Sequence, residues 1–564
     1  MPSVLPAQTE TIELKFIETS DIHGHYFPFD YIEQQESKGG LSRIYTYVKQ
    51  QRELFAENLL LFDNGDILDG QPSSYYYNYI DTVSAHLCAE MMNEMRYDAA
   101  TFGNHDIETG EDVLNRWIRQ CNFPLVCANL LGRSDRSVYT QPYAVFEREG
   151  VRIVVLGLTT AATPLWLCKS LWENLCFYDI EKAAQHWMQV IREKESPDIV
   201  IGLFHSGKET RILSDRYKDD FSMQIARQVP GFDIVMMGHD HIPYCEKIVN
   251  VAGDSVLLVN PGYGGMQVAD VTVRVHRTDG LITGKKLHGE LVDMEYVVPD
   301  SSFLEKFNYA HQVTRQFVSE KIGVFTETIT TRPAYFGSSA FVDFIHELQL
   351  EISGADISFA SPLSFDTQIE RGNVRIGDMF KLYRYKNLIY TMELTGQEIK
   401  NYLEESYGIW TQQMTSPDDH MLLLKNSKCG GKEMFANMYY SFDSAAGIVY
   451  TVDVTKKKGE KVHILCMSDG RPFYEEKFYN VALTSYRGNG GGDLLTKGAG
   501  LSIDELDSRL KAITKHDFRY YLIEYIKLHK VIHPHELNHW KFIPEEWVTI
   551  ATGRDYQYLF GEEE

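Results

Sequence analysis

Cysteine is scarce and unpaired in this chain: there are eight in 564 residues, and no two stand as Cys-x-x-Cys. That excludes a zinc knot and a disulfide-stapled scaffold, and it leaves the redox compartment undetermined. No apolar run approaches the roughly 18 residues of a membrane-spanning helix. Residues 1–10 are polar and carry no signal-peptide core, so no signal peptide is expected within the given chain. Basic residues are also in short supply, 55 Lys and Arg against 79 Asp and Glu, giving a net charge of -24. Such a surface repels polyphosphate backbones, which excludes general binding of nucleic-acid polymers. A small anionic substrate remains compatible, because cations can reverse the field inside one pocket. Internal repeats are absent, and the only biased segment is the acidic terminus at 562–564.

What is present is a rhythm of short apolar strands, each ending in a polar cluster. Residues 11–18 alternate apolar and polar and lead into DIHGH at 21–25. A helical stretch at 41–58 precedes strand 59–62, which ends in DNGD at 63–66. Strand 97–100 ends in GNHD at 103–106. Strands at 151–158, 198–204, 233–237 and 255–259 follow, with His205 and GHDH at 238–241 among their terminal residues. Strand and helix in alternation predict an α/β domain, in which ligands gather beyond the carboxyl ends of the strands. A solvated loop would more usually show Lys, Glu and Ser.

Seven strand-end residues are candidate metal donors: Asp21, His23, Asp66, Asn104, His205, His239 and His241. Imidazole with carboxylate suits divalent transition metals. In Asp-x-His and His-x-His, the period of two puts both donors on one side of an extended segment. Taken singly, each is a polar loop residue. Together they exceed one tetrahedral site but suit two ions sharing a carboxylate, an arrangement that activates water and clamps phosphoryl oxygens.

The ordered series DIHGH, DNGD, GNHD, a strand-terminal His and GHDH resembles the calcineurin-like metallophosphoesterases over the first half of the chain. The resemblance implies a β-sandwich flanked by helices. It assigns one ion to Asp21, His23 and His241 and the second to Asn104, His205 and His239, with Asp66 bridging. The ions implied are zinc or manganese first, with magnesium, cobalt or iron also accepted. His105 is implied to face the substrate, with Glu108 or Asp106 as its carboxylate partner. Asp63 is expected to be structural, and His25 and Asp240 to support the ligands beside them.

The second half resembles the substrate-binding domain of the 5′-nucleotidases, an α+β unit. The likeness lies in IGDMF at 376–380 with the strand-Thr-Gly-helix unit after it, YSFD at 440–443 with GIVY at 447–450, and the loop SYRGNGGGD at 485–493. It implies a nucleobase held between Tyr486 and either Phe442 or Tyr440, with Asp493 accepting from the nucleoside. The segment SPLSFD at 361–366 lacks the family's phosphate-binding arginine. Arg384 or Arg487 is the expected substitute. His241 stands where the 5′-nucleotidase branch usually has Gln, and Tyr-Arg before a triple glycine is closer to the 2′,3′-cyclic-nucleotide 2′-phosphodiesterase/3′-nucleotidase branch. The organisation expected is a dimetal catalytic domain over 1–300, a single linker helix within 301–334 spanning 302–324, and a substrate-binding domain over 335–564. The resemblance implies a nucleotide substrate and a periplasmic or extracellular setting.

Overall fold

The computed structural model describes residues 9–209, 211–212, 218–425 and 434–561. Residues 1–8, Cys429 and the acidic terminus at 562–564 lie outside the described residues. The chain forms two compact units, one holding the residues up to Pro164 and Lys169–Phe317, the other Leu165–Cys168 and the chain from Val318.

The first unit is built on two sheets. In one, Thr9–Thr19 lies parallel to Leu59–Asp63, which lies parallel to Ala99–Ala100. The long antiparallel strands Gln267–Thr278 and Leu281–Asp293 complete its far side. In the other, Val151–Thr159, Ile199–His205, Ile234–Met237 and Ser255–Asn260 are mutually parallel, with antiparallel strands Tyr143–Arg148 and Tyr244–Val249 at the edges. Alternate side chains of both sheets, among them Leu14, Phe16, Phe62, Val155, Ile201 and Met236, fill one buried core between them. The opposite face of the second sheet, through Leu156, Phe204, Val235 and Leu258, packs on helices Ile180–Glu195 and Ser222–Gln228. Asn64 ties the two layers: its Nδ2 lies 3.0 Å from the Phe204 carbonyl and 3.2 Å from that of Met236. The layered sandwich matches the expected fold.

The single helix expected over 302–324 is not formed. Ser301–Lys306 and Asn308–Ser319 are separate helices, broken at Phe307; the first lies in the first unit, and the unit boundary falls within the second, after Phe317. Lys321–Phe325 (KIGVF) is a strand of the second unit, antiparallel to Gly372–Arg375 and parallel to Val531–Ile532. Its β-branched Ile322 and Val324 favour the pleat, and Ile322 and Phe325 are buried by it.

The second unit centres on a five-stranded sheet ordered Ser444–Ala446, Ile357–Ala360, Phe478–Thr484, Ile389–Thr395 and Leu510–Ile513. Thr395 and Glu398 close a capping box that starts the helix Gly396–Trp410.

Candidate metal centre

The parallel strands of both sheets in the first unit release their polar clusters at the same end. Asp21, His23, Asp66, His239 and His241 all hold positive φ, from 48° to 75°. That conformation is uncommon for residues other than glycine, tolerated best by Asn, Asp and His, and concentrates at functional sites. Gly103 has a different reason to be glycine: a Cβ there would stand 1.9 Å from Asp66 Oδ1.

These turns bring the expected donors into two groups. Asp21, His23 and His241 offer donor atoms within 4.8 Å of one another, and so do Asp66, His205 and His239. Asp66 Oδ2 lies 3.2 Å from His205 Nε2 and 4.0 Å from His23 Nε2, so one carboxylate faces both groups. Asn104 Oδ1 is 3.3 Å from His205 Nε2. His241 Nε2 is 3.3 Å from Asp21 Oδ1 and 3.0 Å from His23 Nε2.

The donor set fits metal ions in its chemistry. His205 Nδ1 is 2.7 Å from the Asn64 carbonyl and His23 Nδ1 is 3.1 Å from that of Asp69. A carbonyl only accepts, so each Nδ1 carries a proton, and Nε2 is the atom turned to the site. Asp21 and Asp66 are buried. Burial opposes their charge, yet the His241 hydrogen bond and His205 hold Asp21 at about 2, and His205 and His105 hold Asp66 well below the usual carboxylate range.

Asp106 and Glu108 separate cleanly. Asp106 accepts from the backbone N–H groups of Gly103, Asp66, Ile67 and Leu68 at 2.8 to 3.0 Å, clamping the Asp66 loop to the Asn104 loop. Glu108 Oε2 is the carboxylate on His105, 2.6 Å from Nδ1. Asp63 accepts from the Thr19 hydroxyl and the Gly65 amide, a structural use. Asp240 accepts from Lys208 N, Ile242 N and Asn260 Nδ2, which shapes the loop carrying His239 and His241. His25 lies 3.5 Å from Gln71 Nε2.

In the second unit the structure corrects two expectations. Phe442 is not a surface ring: it is fully buried, stacked 4.5 Å from Trp410 and packed on Phe435 and Tyr335. The short helical turn Tyr439–Ser441 leaves Tyr440 half-buried and swings Phe442, just after it, into the core. Arg487 is not a free phosphate ligand either. It is buried, with Nη2 2.9 Å from Asp443 Oδ1 and Nε 3.1 Å from Oδ2, and it also donates to the Tyr440 and Gly491 carbonyls. Its donors are committed to holding the two motifs together. Asp493 is exposed and paired with Lys497 at 2.6 Å. Tyr486 is half-buried against Gly491, where a Cβ would lie 2.5 Å from the ring. Arg384 is exposed, close enough to Tyr439 and Tyr385 to oppose the upward push of burial on their hydroxyls. In the 361–366 segment, Asp366 takes the guanidinium of Arg332 at 2.7 and 2.8 Å.

Comparison with known proteins agrees with this division. Residues 14–243 match the calcineurin-like phosphoesterase family and residues 321–497 match the 5′-nucleotidase C-terminal domain. The chain is a calcineurin-like phosphoesterase with a 5′-nucleotidase C-terminal domain. Among relatives of this two-domain family, the trifunctional nucleotide phosphoesterase protein YfkN of Bacillus subtilis is 25% identical over 94% of this chain, which spans only 39% of that protein. A 2′,3′-cyclic-nucleotide 2′-phosphodiesterase/3′-nucleotidase of Yersinia enterocolitica is 24% identical over 95% of this chain and 89% of its own length. A 5′-nucleotidase precursor from Thermus thermophilus shares the fold with a TM-score of 0.64 at 20% identity, covering 95% of this chain and 100% of its own. A Staphylococcus aureus structure solved with alpha-ketoglutarate superposes with a TM-score of 0.78 at 20% identity, covering 94% and 99%.

Two residues of this phosphoesterase site escaped the sequence reading. Asp219 is buried, with Oδ1 3.0 Å from His239 Nε2. It sits in Lys-Asp-Asp at 218–220, which in sequence reads as a solvated charged turn. Tyr263 stacks on His241 with ring centroids 5.2 Å apart and 22° between planes. A lone tyrosine between glycines carries no signal of that contact.

Proposed function

We propose that this chain hydrolyses phosphoesters of nucleotides with two divalent metal ions, zinc or manganese, and that 2′,3′-cyclic nucleotides and 3′-nucleotides are its first substrates. The observation that carries the reading is the convergence of two donor groups on the shared carboxylate of Asp66, beside the His105–Glu108 pair. Asp21, His23 and His241 would hold one ion, Asn104, His205 and His239 the other, and Asp66 both. Bound there, the ions would activate water and neutralise phosphoryl oxygens.

The protein's own groups do the rest. Asn104 and His105 present a carboxamide and an imidazole to charge building on the phosphoryl group. Glu108 keeps the proton on His105 Nδ1, so Nε2 is the nitrogen that exchanges a proton with the leaving oxygen. In the second unit Tyr440 and Tyr486 are the rings for the base, and Arg384 is an exposed cation beside Tyr439 and Tyr385. Arg487 is taken by Asp443 and Arg332 by Asp366, so neither guanidinium is offered to a phosphate. A periplasmic or extracellular setting, implied by the resemblance, belongs to the same proposal; among the described residues no helix is long and apolar enough to cross a membrane.

The test is turnover of adenosine 2′,3′-cyclic phosphate, 3′-AMP, 5′-AMP and UDP-glucose by chelated protein after each metal is restored. Cleavage of the first two supports the reading. Turnover of p-nitrophenyl esters without any nucleotide would reassign the chain to a non-nucleotide ester.

A further inference from the structure

Three carboxylates, Asp219, Asp220 and Asp240, crowd the turn that carries His239. Two of them are engaged by backbone amides. Asp220 Oδ1 accepts from Gly207 N at 2.7 Å, and Asp240 accepts from Lys208 N at 2.8 Å and Ile242 N at 3.0 Å. Asp219 faces the imidazole instead, with Oδ1 3.0 Å from His239 Nε2. The same oxygen accepts from the Thr160 hydroxyl at 3.1 Å, and the Thr160 amide donates to the His205 carbonyl at 2.9 Å. A continuous hydrogen-bonded path therefore runs from the backbone of His205 through Thr160 and Asp219 to the ring of His239. The adjacent Lys218 does not neutralise the carboxylate of Asp219: its ammonium lies 3.1 Å from Asp179 and 2.9 Å from Glu181, at the start of another helix.

We propose that Asp219 is a positioning residue for His239, holding the imidazole in the orientation and tautomer of a metal donor by taking the Nε2 proton. The inference rests on the dimetal reading above. An imidazole with its Nε2–H fixed on a carboxylate keeps the lone pair on Nδ1 and gains basicity there, and partners of this kind tune affinity without touching the ion. A buried aspartate that merely shaped its loop would affect folding and leave ion affinity alone. The path links the backbone of His205 to the ring of His239, two donors of one ion, whereas Asp21 of the other group meets His239 only at its backbone amide.

The experiment titrates chelated, full-length protein with Mn2+ by calorimetry, with apoprotein melting recorded alongside. The wild type is expected to show two binding events. His239→Ala identifies the event that depends on this ligand. Asp219→Ala is expected to weaken that same event by about 10- to 100-fold, the usual cost of losing such a partner, with the other event unchanged. Asp219→Asn, which keeps shape and an acceptor oxygen, should fall between the two and carries the test if the alanine protein does not fold. Wild-type affinity at both events in the variant that folds would overturn the positioning role, as would an equal loss at both events accompanied by a lowered apoprotein melting temperature. A wild type that binds no Mn2+ would overturn the dimetal reading itself, a different failure.

Discussion

Glu108 Oε2 lies 2.6 Å from His105 Nδ1, one helical turn along Asn104–Glu108. The spacing of three residues puts both side chains on one face, and the longer arm of glutamate closes the gap. The carboxylate is the more enclosed partner, with 10% of its side chain exposed against 32% for the imidazole. Glu108→Gln should therefore lower kcat by about tenfold or more, a loss of at least about 1.4 kcal/mol in the transition state. Glu108→Asp should also be impaired, because the shorter side chain cannot span the same turn. Steady-state kinetics with metal content measured in parallel checks both, and an unaffected Glu108→Gln protein would show that the pair has no chemical use.

Removing the imidazole itself separates chemistry from metal binding. His105 lies outside both donor groups that share Asp66 or Asp21. His105→Ala is expected to retain two ions per chain by elemental analysis and to lose about 10²–10⁴-fold in kcat, the range for a general acid. Loss of one ion in that variant would instead make His105 a ligand.

Much of this was legible because each donor sits at a strand end, where local sequence states both the strand and its polar terminus. DIHGH, DNGD, GNHD and GHDH each carry their own turn, so the fold of the first unit and its candidate donors could be read together. The choice between Asp106 and Glu108 could not, since it depends on where backbone amides of a loop 40 residues earlier point. Asp106 reaches three of them, and the nearby Gly103 amide as well. Phe442 and Tyr440 look alike in sequence; a single turn of helix at Tyr439–Ser441 decides which ring is core. Residues 302–324 carry helical periodicity over most of their length, and only pairing with Gly372–Arg375, far along the chain, draws Lys321–Phe325 into a sheet. Asp219 is hidden for the same reason: burial is a tertiary property that a charged tripeptide does not display.

The Asp106 clamp predicts a structural penalty with a functional consequence. Asp106→Ala would strand four backbone N–H groups, each costing about 1–3 kcal/mol when buried without a partner. A large fall in melting temperature is expected, together with loss of bound metal, because Asp66 and Asn104 are positioned from the same loops. Asp106→Asn retains acceptor oxygen and should fall less. Thermal denaturation of chelated and metal-loaded protein distinguishes the two effects, and a native melting temperature in Asp106→Ala would contradict the clamp.

Aromatic residues of the second unit should divide by role. Phe442→Ala is expected to cost about 3–5 kcal/mol of stability, the range for emptying a core aromatic site. Arg487→Ala should be similarly costly, since it leaves Asp443 buried without its partner. Tyr440→Ala and Tyr486→Ala should melt near the wild type and raise KM for nucleotides, by about 1–3 kcal/mol for each ring that stacks on the base. Activity on p-nitrophenyl esters should be spared in these two variants. Denaturant unfolding and KM ratios between the two substrate types provide the check.

His86 gives the first unit a specific acid sensitivity. It is 1% exposed, its Nε2 3.0 Å from Asn78 Oδ1. Burial, with Arg116 adding to it, pushes its pKa from 6.5 down to about 3. The unfolded chain therefore binds a proton that the folded chain refuses between those values. By linkage, this group leaves stability unaffected above pH 6.5 and lowers it by up to about 1.4 kcal/mol per pH unit as pH falls from 6.5 towards 3. His86→Gln, which can still donate to Asn78, should flatten that slope while leaving stability at pH 8 nearly unchanged. The measurement is unfolding free energy against pH on chelated protein, so that acid release of metal does not contribute. Parallel slopes for the wild type and His86→Gln would show that the imidazole is accessible to protons in the folded state, contrary to its burial.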